Sequence, residues 1–228
     1  FGVDGFCVDS VVEGFRLREE GITKPILVLG LTLPIHFKEA AVHDITLTVS
    51  TIEALKELSK IGRATTDFHL KIDSGMHRQG FYPRDVSQAL AFITSSANLQ
   101  NHLTGAYTHF SSAKDMTYPG YVEFQAANFK QALAAIQKAG FRNILRHAAA
   151  TGGTLLDTNY HFDAVRVGIG MYGIYPSGEL AIQRADLKLR PALSWRTIVG
   201  EVKQIKKDAW IGYDGAERMP HDGRIAVL

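Results

Sequence analysis

Short apolar runs alternate with helical patterns through about the first three quarters of the chain, and this alternation constrains the fold more than any other feature. The runs are rich in Val, Ile and Leu and are bounded by turn-forming residues, which is typical of strands covered on both faces. Most segments between them place apolar residues at helical spacing. The seven predicted strands cover residues 5–9, 25–30, 44–49, 67–73, 103–109, 143–148 and 163–169.

This repetition predicts an α/β fold with a parallel sheet. Two architectures are open: a doubly wound sheet, or a (β/α)8 TIM-type barrel whose first strand would lie before Phe1. The chain starts at Phe1 rather than at Met and stops inside the strand-like Ala226-Val-Leu228. We therefore expect a fragment that lacks the first strand, which favours the barrel.

The pattern changes after Pro176. Residues 192–205 alternate apolar and polar side chains with no helical pattern between them, which is typical of a half-buried strand. Two further short strand patterns follow at residues 210–213 and 224–228. We predict an incomplete α/β barrel over residues 1–187 and the beginning of a mainly β domain over residues 188–228.

The overall composition is globular, with 46% hydrophobic residues among 228. Lys and Arg number 25 against 23 for Asp and Glu, a formal charge of +2 without long runs of one sign. This balance argues against a nucleic-acid track or an anionic membrane surface as a partner. The single cysteine, Cys7, lies in an apolar run and is predicted to be a small core residue in a reducing, cytoplasmic setting. No apolar stretch is long enough to span a bilayer.

The stretch from Asp67 to Phe81 brings Lys71, Asp73 and Arg78 into one short strand and turn. Lys71 and Asp73 alternate with apolar residues, so both should point to one face of the strand. Arg78 follows on the loop. One interpretation is an amphipathic strand with a solvated polar face. The other is a functional site, because sites in α/β folds lie at the carboxyl ends of the parallel strands.

Polar residues recur at the ends of the later predicted strands. Tyr107 and His109 end the fifth strand, His147 lies on the sixth with Thr151 just after it, and Arg166 lies near the end of the seventh. A lone histidine is more often a hydrogen-bonded core or surface residue than a catalyst. Repetition at equivalent strand ends instead predicts that these side chains share a site with the stretch ending at Phe81.

The segment Gly168-Ile-Gly-Met-Tyr-Gly173 matches a Gly-x-Gly-x-x-Gly pattern after a strand. A dinucleotide site would need a long helix opening on these glycines, and Tyr175-Pro-Ser-Gly stops one. Exposed backbone N–H groups here, with Thr151 and Gly152-Gly153, could instead cradle a phosphate. A tight structural turn is the alternative. No His or Cys pair has metal-ligand spacing, and no Gly-x-Ser-x-Gly elbow occurs.

Several segments together resemble the alanine racemase family, and the similarity runs from Phe1 to Leu228. Members of that family are fold-type-III pyridoxal 5'-phosphate enzymes with an α/β barrel and a C-terminal β domain, so the resemblance implies a cofactor-binding barrel here. The segments are Val3-Asp-Gly-Phe-Cys-Val-Asp-Ser10, Lys71-Ile-Asp-Ser-Gly-Met-His-Arg78, Thr108-His-Phe110 and Val165-Arg-Val-Gly-Ile-Gly-Met-Tyr-Gly173 with Pro176-Ser after it.

The resemblance implies roles for three charged residues. Lys71 matches a lysine that such enzymes often carry as a carbamate. Arg78 matches an arginine that this carbamate orients toward the cofactor oxygen and the substrate carboxylate. A carbamate is an anion that can hold a guanidinium, and a bidentate arginine anchors a carboxylate well. Arg166 matches the arginine at the pyridine nitrogen. Because that nitrogen would stay unprotonated, side reactions such as transamination should be limited.

The resemblance also covers the histidines and the phosphate loops. His109 matches a histidine that supports the tyrosine base, and His147 one that buttresses the arginine. Thr151 stands where the family usually has Ser after Asn, and its hydroxyl keeps phosphate binding possible. The implied catalytic residues are Lys71, Arg78, His109 and Arg166, the substrate contact is Arg78, the cofactor contacts are His109, His147, Thr151, Arg166, Gly168 and Ile169, and no metal is implied.

Two residues of the family have no match in the 228 residues. The lysine that holds the cofactor is expected before Phe1, and the tyrosine base after Leu228. Tyr213 in Ile211-Gly-Tyr-Asp-Gly215 imitates the tyrosine element, but it precedes the last predicted strand and is interpreted as a non-catalytic segment. The 228 residues by themselves are therefore expected to be catalytically inactive.

The activity implied for the intact enzyme is interconversion of L- and D-alanine by two-base proton transfer on the cofactor. This activity would supply D-alanine for cell-wall peptidoglycan. The intact enzyme is expected to be a cytoplasmic homodimer that has neither nucleic acid nor a membrane as a partner. The alternatives are a racemase for another amino acid, a related fold-type-III decarboxylase, and a non-catalytic barrel that binds or carries the cofactor.

Overall fold

The computed structural model describes residues 2–114, 116–117 and 119–228. The chain divides into two compact units, Phe1–Arg190 and Pro191–Leu228. The division lies close to the predicted boundary after residue 187. That the second unit begins a larger β domain remains a prediction.

The first unit contains seven parallel strands that pair in the order in which they occur along the chain. This sequential order distinguishes the fold from a doubly wound sheet, in which the strand order reverses at a switch point. It is a nearly closed parallel barrel, which is the predicted architecture that the expected loss of a first strand favours. The strands are β1 (Phe6–Val8), β2 (Ile26–Val28), β3 (Ile45–Val49), β4 (Phe68–Lys71), β5 (Leu103–Tyr107), β6 (Leu145–Ala150) and β7 (Ala164–Arg166).

Helices connect successive strands, as the helical spacing between the apolar runs predicts. Between β2 and β3 the connection is a 3₁₀ turn, Pro34–His36, followed by a short helix. The short α6 is not predicted, because two glycines near its start indicate a loop. The helices are α1 (Val11–Glu19), α2 (Phe37–Val42), α3 (Ile52–Ser59), α4 (Val86–Ser95), α5 (Gly120–Lys138), α6 (Thr151–Leu156) and α7 (Gly178–Gln183).

Helix α1 starts where the sequence indicates that it should. The Ser10 hydroxyl accepts a hydrogen bond from the backbone N–H of Glu13, and the Glu13 carboxylate accepts one from the N–H of Ser10 at 2.8 Å. This capping box satisfies N–H groups that have no partner inside the helix. Thr51 caps α3 in the same way by accepting from Ala54 N at 3.1 Å.

Strand β4 buries both of its faces. Phe68, Leu70 and Ile72 join a continuous apolar core with residues of the surrounding helices. His69 and Lys71 alternate with them on the opposite face, yet both are buried as well. The interpretation of this strand as an amphipathic strand with a solvated polar face is therefore wrong, because its polar face lies inside the barrel.

Cys7 is exposed, so its prediction as a core residue is wrong. It lies on β1, which pairs with β2 on one side and with no other strand in the part of the chain that the structure describes. Phe6 and Val8 pack against the core, which leaves the intervening Cys7 on the other face of this edge strand.

The second unit contains two antiparallel strand pairs. β8 (Glu201–Ile205) pairs with β11 (Gly223–Val227), and β9 (Trp210–Ile211) pairs with β10 (Glu217–Arg218). Residues 192–200 have the predicted alternation but are not in a strand. A strand needs a hydrogen-bonded neighbour, and the ladder with β11 begins only at Glu201.

The Arg18 side chain fastens the turns that precede β2 and β3. It donates to the carbonyl oxygens of Ile22 at 2.7 Å and Lys24 at 2.8 Å, and to those of His43 at 2.8 Å and Asp44 at 2.7 Å. These carbonyl groups lie in loops that form no regular backbone hydrogen-bond pattern of their own. One guanidinium thus satisfies acceptors in two loops at the same end of the barrel.

Replacing Arg18→Leu should lower the free energy of unfolding by about 2 kcal/mol, because charge-assisted hydrogen bonds to part-buried carbonyls are lost. Urea unfolding followed by circular dichroism measures this. Arg16→Leu, on the exposed side of the same helix, is the matched control and should change the value by less than about 0.5 kcal/mol. Equal losses in the two variants would contradict the role given to Arg18.

Candidate active site

Four neighbouring strands bring the predicted polar residues together at the carboxyl end of the barrel. Lys71 ends β4, Tyr107 ends β5 and Arg166 ends β7. In the ladders, Lys71 pairs with Tyr107 and Tyr107 pairs with His147. The register therefore places these side chains in a row across the strands, and the remaining predicted residues follow on the connections.

Arg166 is the centre of this cluster. Its Nη1 lies 2.6 Å from His147 Nδ1, and its Nη2 donates to the carbonyl oxygens of Thr108 at 2.8 Å and Ala148 at 3.0 Å. His109 Nδ1 lies at 3.4 Å from the same Nη2. No carboxylate lies within ion-pair distance of the guanidinium among residues 2–114, 116–117 and 119–228. Arg166 is thus a cation held by neutral acceptors.

This unneutralised charge, together with burial, keeps three histidines neutral. Burial first and Arg166 second lower the pKa of His69 to about 4 and that of His109 to about 4. The same causes lower the pKa of His147 well below its usual value. At neutral pH each ring therefore offers one donor and one acceptor nitrogen.

Lys71 is buried beside the same charge. Its Nζ lies 4.2 Å from the centroid of the Tyr107 ring, and it has no hydrogen bond or ion pair within the described part of the chain. Burial first, and then the charges of Arg166 and Arg78, lower the pKa of this amine to about 6. Asp73 opposes them weakly. An unmodified Lys71 is therefore mainly uncharged at neutral pH.

Tyr107 forms the wall between these groups. Its ring stacks on that of His147 with centroids 4.7 Å apart and an interplanar angle of 5°. Thr48 donates its hydroxyl proton to Val28 O at 2.7 Å, and the Tyr107 hydroxyl lies 2.9 Å from Thr48 Oγ1 and donates toward Leu29 O at 3.3 Å. Burial raises the pKa of Tyr107 to about 12. The phenol thus stays neutral and its orientation is fixed.

The loop that carries Arg78 folds back onto the end of β4. Asp73 N donates to Phe81 O and Phe81 N donates to Lys71 O, both at 2.9 Å. The Asp73 carboxylate accepts from the N–H of His77 at 2.9 Å. Arg78 itself is exposed and has no hydrogen bond or ion pair to any residue that the structure describes. It remains free to bind an anion.

Helix α5 holds this loop from the other side, which the sequence does not indicate. Tyr121 Oη donates to Gly75 O at 2.6 Å, and Asn128 Nδ2 donates to Ser74 O at 3.0 Å. Ser74 Oγ lies 2.6 Å from Thr108 Oγ1. These contacts join residues that are far apart in the chain, and neither Tyr121 nor Asn128 belongs to a recognisable motif.

The predicted phosphate loops do meet. The Thr151 hydroxyl accepts hydrogen bonds from the N–H groups of Gly168 at 3.1 Å and Gly170 at 3.2 Å. A Cβ at position 170 would lie 2.8 Å from Thr151 Cγ2, so the close approach requires glycine. Gly173 has a φ of 75°, as a tight turn requires. Only a short 3₁₀ segment, Ile169–Tyr172, follows the glycines, which is unlike a dinucleotide fold.

Two absences bear on the chemistry of the described residues. Among them, no group of three or more His, Cys, Asp or Glu side chains is placed to hold a metal ion. None of the helices described in the structure has the length and apolarity needed to cross a membrane.

The chain belongs to the alanine racemase family, because the model of the alanine racemase N-terminal domain matches residues 1–176. An alanine racemase from Clostridium perfringens is 36% identical over 100% of this chain and 58% of its own length. One from Ligilactobacillus salivarius is 35% identical over 93% of this chain and 56% of its own. The family resemblance drawn from the motifs is confirmed.

Solved structures agree with the fold. The alanine racemase from D-cycloserine-producing Streptomyces lavendulae matches with a TM-score of 0.85 at 30% identity, over 99% of this chain and 59% of that one. The alanine racemase from Bacillus anthracis with bound L-Ala-P matches with a TM-score of 0.81 at 34% identity, over 99% of this chain and 58% of that one. The chain thus spans less than two thirds of the relatives' length, and the roles of its individual residues remain predictions.

The stability of the fold should fall as the pH falls from about 6.5 to about 4. An unfolded histidine has a pKa near 6.5, whereas that of folded His69 is about 4. Between these values the unfolded state binds more protons, so acid favours unfolding, by about 3 kcal/mol for this residue. Urea unfolding at several pH values measures the slope.

The variant His69→Asn should show a shallower slope over the same interval, because one of the titrating groups is gone. The unaltered protein in the same buffers is the reference. If the two slopes coincide, His69 does not titrate differently in the folded and unfolded states, and the prediction is wrong.

Proposed function

We propose that the protein containing this chain interconverts L- and D-alanine with pyridoxal 5'-phosphate as its cofactor. The observation that carries the proposal is the half-buried Arg166 guanidinium, held by neutral acceptors at the carboxyl end of a barrel of the alanine racemase family. Catalytic sites of such barrels lie at this end. When bound, the cofactor supplies an electron sink for charge that develops at the substrate α-carbon.

The two ends of the site suit the two ends of this cofactor. Thr151 accepts two backbone N–H groups, which leaves its hydroxyl proton free to donate to a phosphate oxygen. Gly168 and Ile169 lie exposed on the adjoining turn and would complete the phosphate contacts. At the other end, the Nε–H of Arg166 has no partner within the described residues and could donate to a pyridine nitrogen.

Arg166 would also tune the cofactor. A guanidinium donates hydrogen bonds and does not give up its proton at working pH, so it would leave the pyridine nitrogen unprotonated. An unprotonated ring is a weaker electron sink, which favours return of the proton to the α-carbon over transamination. His147 would hold Arg166 in position, and the neutral His109 ring would support a proton-transferring group.

Lys71 and Arg78 would form the carboxylate anchor. The low pKa of Lys71 makes a neutral amine available at working pH, which is the form that reacts with carbon dioxide. Carbamate formation adds carbon dioxide to the amine nitrogen and releases one proton. The charges of Arg166 and Arg78 disfavour a cationic lysine at this position. The carbamate is an anion, which the same two charges would stabilise. Arg78, oriented by this anion, would bind the substrate carboxylate.

The cellular role follows from the same proposal. D-alanine would be supplied for peptidoglycan, and we place the protein in the cytoplasm as a homodimer. These assignments rest on the family relationship, and neither a partner copy nor a location is visible in a single chain.

The whole protein that contains this chain should racemise alanine. The variant Arg166→Gln should lower kcat/KM by roughly a hundredfold and increase the amount of transaminated product. Chiral chromatography of the alanine measures racemisation, and an assay for pyruvate measures the transaminated product. Arg16→Gln, a change of the same kind at an exposed position, is the control and should keep full activity. Release of an amine would indicate a decarboxylase. Faster turnover of another amino acid would indicate a racemase for that amino acid. A cofactor spectrum without turnover would indicate a protein that binds the cofactor but is not an enzyme.

Lys71 should be carbamylated in the native protein. Isotopically labelled bicarbonate should give one carbamate carbon signal by NMR, and native mass spectrometry should show the mass of one added carbon dioxide. The signal should be lost in Lys71→Ala and kept in Lys56→Ala, which removes an exposed lysine from α3. A bare amine at position 71 in the native protein would contradict the assignment.

A further inference from the structure

We infer that His69 is a positioning residue for Arg166, which it holds indirectly through His147. His69 Nδ1 lies 2.9 Å from His147 Nε2, and His147 Nδ1 lies 2.6 Å from Arg166 Nη1. All three side chains belong to strands of the barrel, so the contacts form a hydrogen-bonded chain across the interior. The inference deepens the proposed function, since it rests on Arg166 facing the cofactor.

The chemistry of the groups gives this chain one direction. A guanidinium can only donate, so His147 Nδ1 must be the acceptor. A neutral imidazole has one donor and one acceptor nitrogen, so the proton of His147 is on Nε2 and is donated to His69 Nδ1. His69 therefore accepts at Nδ1 and carries its own proton on Nε2. Arg166 thus determines the tautomers of both histidines.

Protonation would break the chain at either histidine. A proton on His147 Nδ1 would point an N–H at the guanidinium, and one on His69 Nδ1 would oppose the N–H of His147. The pKa of His69 is lowered to about 4, and that of His147 is lowered well below its usual value, in both cases first by burial. Both rings therefore stay neutral at physiological pH.

The neighbouring strand is shaped to let His69 reach across. In the sheet β5 lies between β4 and β6, and the residue paired with His69 on β5 is Gly105. A Cβ at position 105 would lie 2.4 Å from His69 Nε2 and 2.5 Å from Cδ2 and Cε1 of that ring. The imidazole thus occupies the space that any side chain at 105 would fill. Glycine here serves the contact between β4 and β6.

The consequence is a fixed orientation for the His147 ring. It is held at Nδ1 by Arg166 and at Nε2 by His69, and its face stacks on Tyr107. Without an acceptor at His69, the buried Nε2–H of His147 would be unsatisfied, which favours rotation of the ring away from Arg166. Arg166 would then lose its hydrogen bond of 2.6 Å.

The test compares His69→Asn with His69→Leu in the whole protein. The two side chains have similar size, but only the Asn carbonyl oxygen places an acceptor near the position of Nδ1. We expect His69→Leu to lower kcat/KM for alanine about tenfold or more, and His69→Asn to stay within about threefold of the unaltered protein. Equal losses in the two variants would overturn the inference, because a merely structural role depends on volume.

A second measurement does not depend on activity. Nitrogen NMR of labelled histidine should show His147 protonated at Nε2 and unprotonated at Nδ1, with a scalar coupling across the hydrogen bond to His69 Nδ1. In His69→Leu the coupling should vanish and the Nδ1 resonance of His147 should shift. An unshifted Nδ1 resonance in that variant would overturn the inference. If the protein fails to racemise alanine but shows these resonances, the proposed function fails and the hydrogen-bonded chain stands.

Gly105→Ala offers a third approach with His69 intact. The added methyl group should displace the imidazole and reproduce the loss of coupling seen in His69→Leu. If Gly105→Ala keeps the coupling, the contact between the two residues is not what positions the ring, and the inference is wrong on that point. If this variant does not fold, the two His69 variants still decide the question.

Discussion

The Arg166 guanidinium is half-buried with no carboxylate among the described residues to neutralise it, and the surrounding site is organised around that charge. A cation that is partly removed from water is costly unless its donors are satisfied. Here backbone carbonyls of Thr108 and Ala148 and the neutral ring of His147 accept its protons. The same charge disfavours protonation of the neighbouring histidines and of Lys71. Burial first and this unpaired cation second therefore keep the cluster's histidines and Lys71 uncharged.

Under the proposed function this electrostatic imbalance favours anionic or electron-rich partners. They would be a pyridine nitrogen at Arg166, a phosphate at Thr151, a carbamate on Lys71 and a carboxylate at Arg78. Neither Arg166 nor Arg78 forms an ion pair with a carboxylate in the described residues. The hydrogen bonds from Tyr121 and Asn128 hold the loop after β4, which carries Arg78.

The sequence predicted the strand–helix alternation and the residues at the strand ends well, because βα periodicity and carboxyl-end placement follow from local pattern and topology. The sequence did not predict the surroundings of individual side chains. It left open whether His69 and Lys71 face solvent or a functional site, because a period of two separates the faces of a strand without showing what covers each face. Cys7 was assigned to the core for the same reason, and residues 192–200 alternate like a strand without being in one.

What the sequence determined by itself was the family, the parallel barrel and the set of ionisable residues at its carboxyl end, because motifs and periodicity are properties of the chain. Only the tertiary structure decided how these residues affect one another. The contact of His69 with His147 depends on strand register and on the absence of a side chain at Gly105. The pKa of Lys71 depends on burial beside Arg166, a residue far away in the chain. Both are consequences of distance in space, which no local pattern contains.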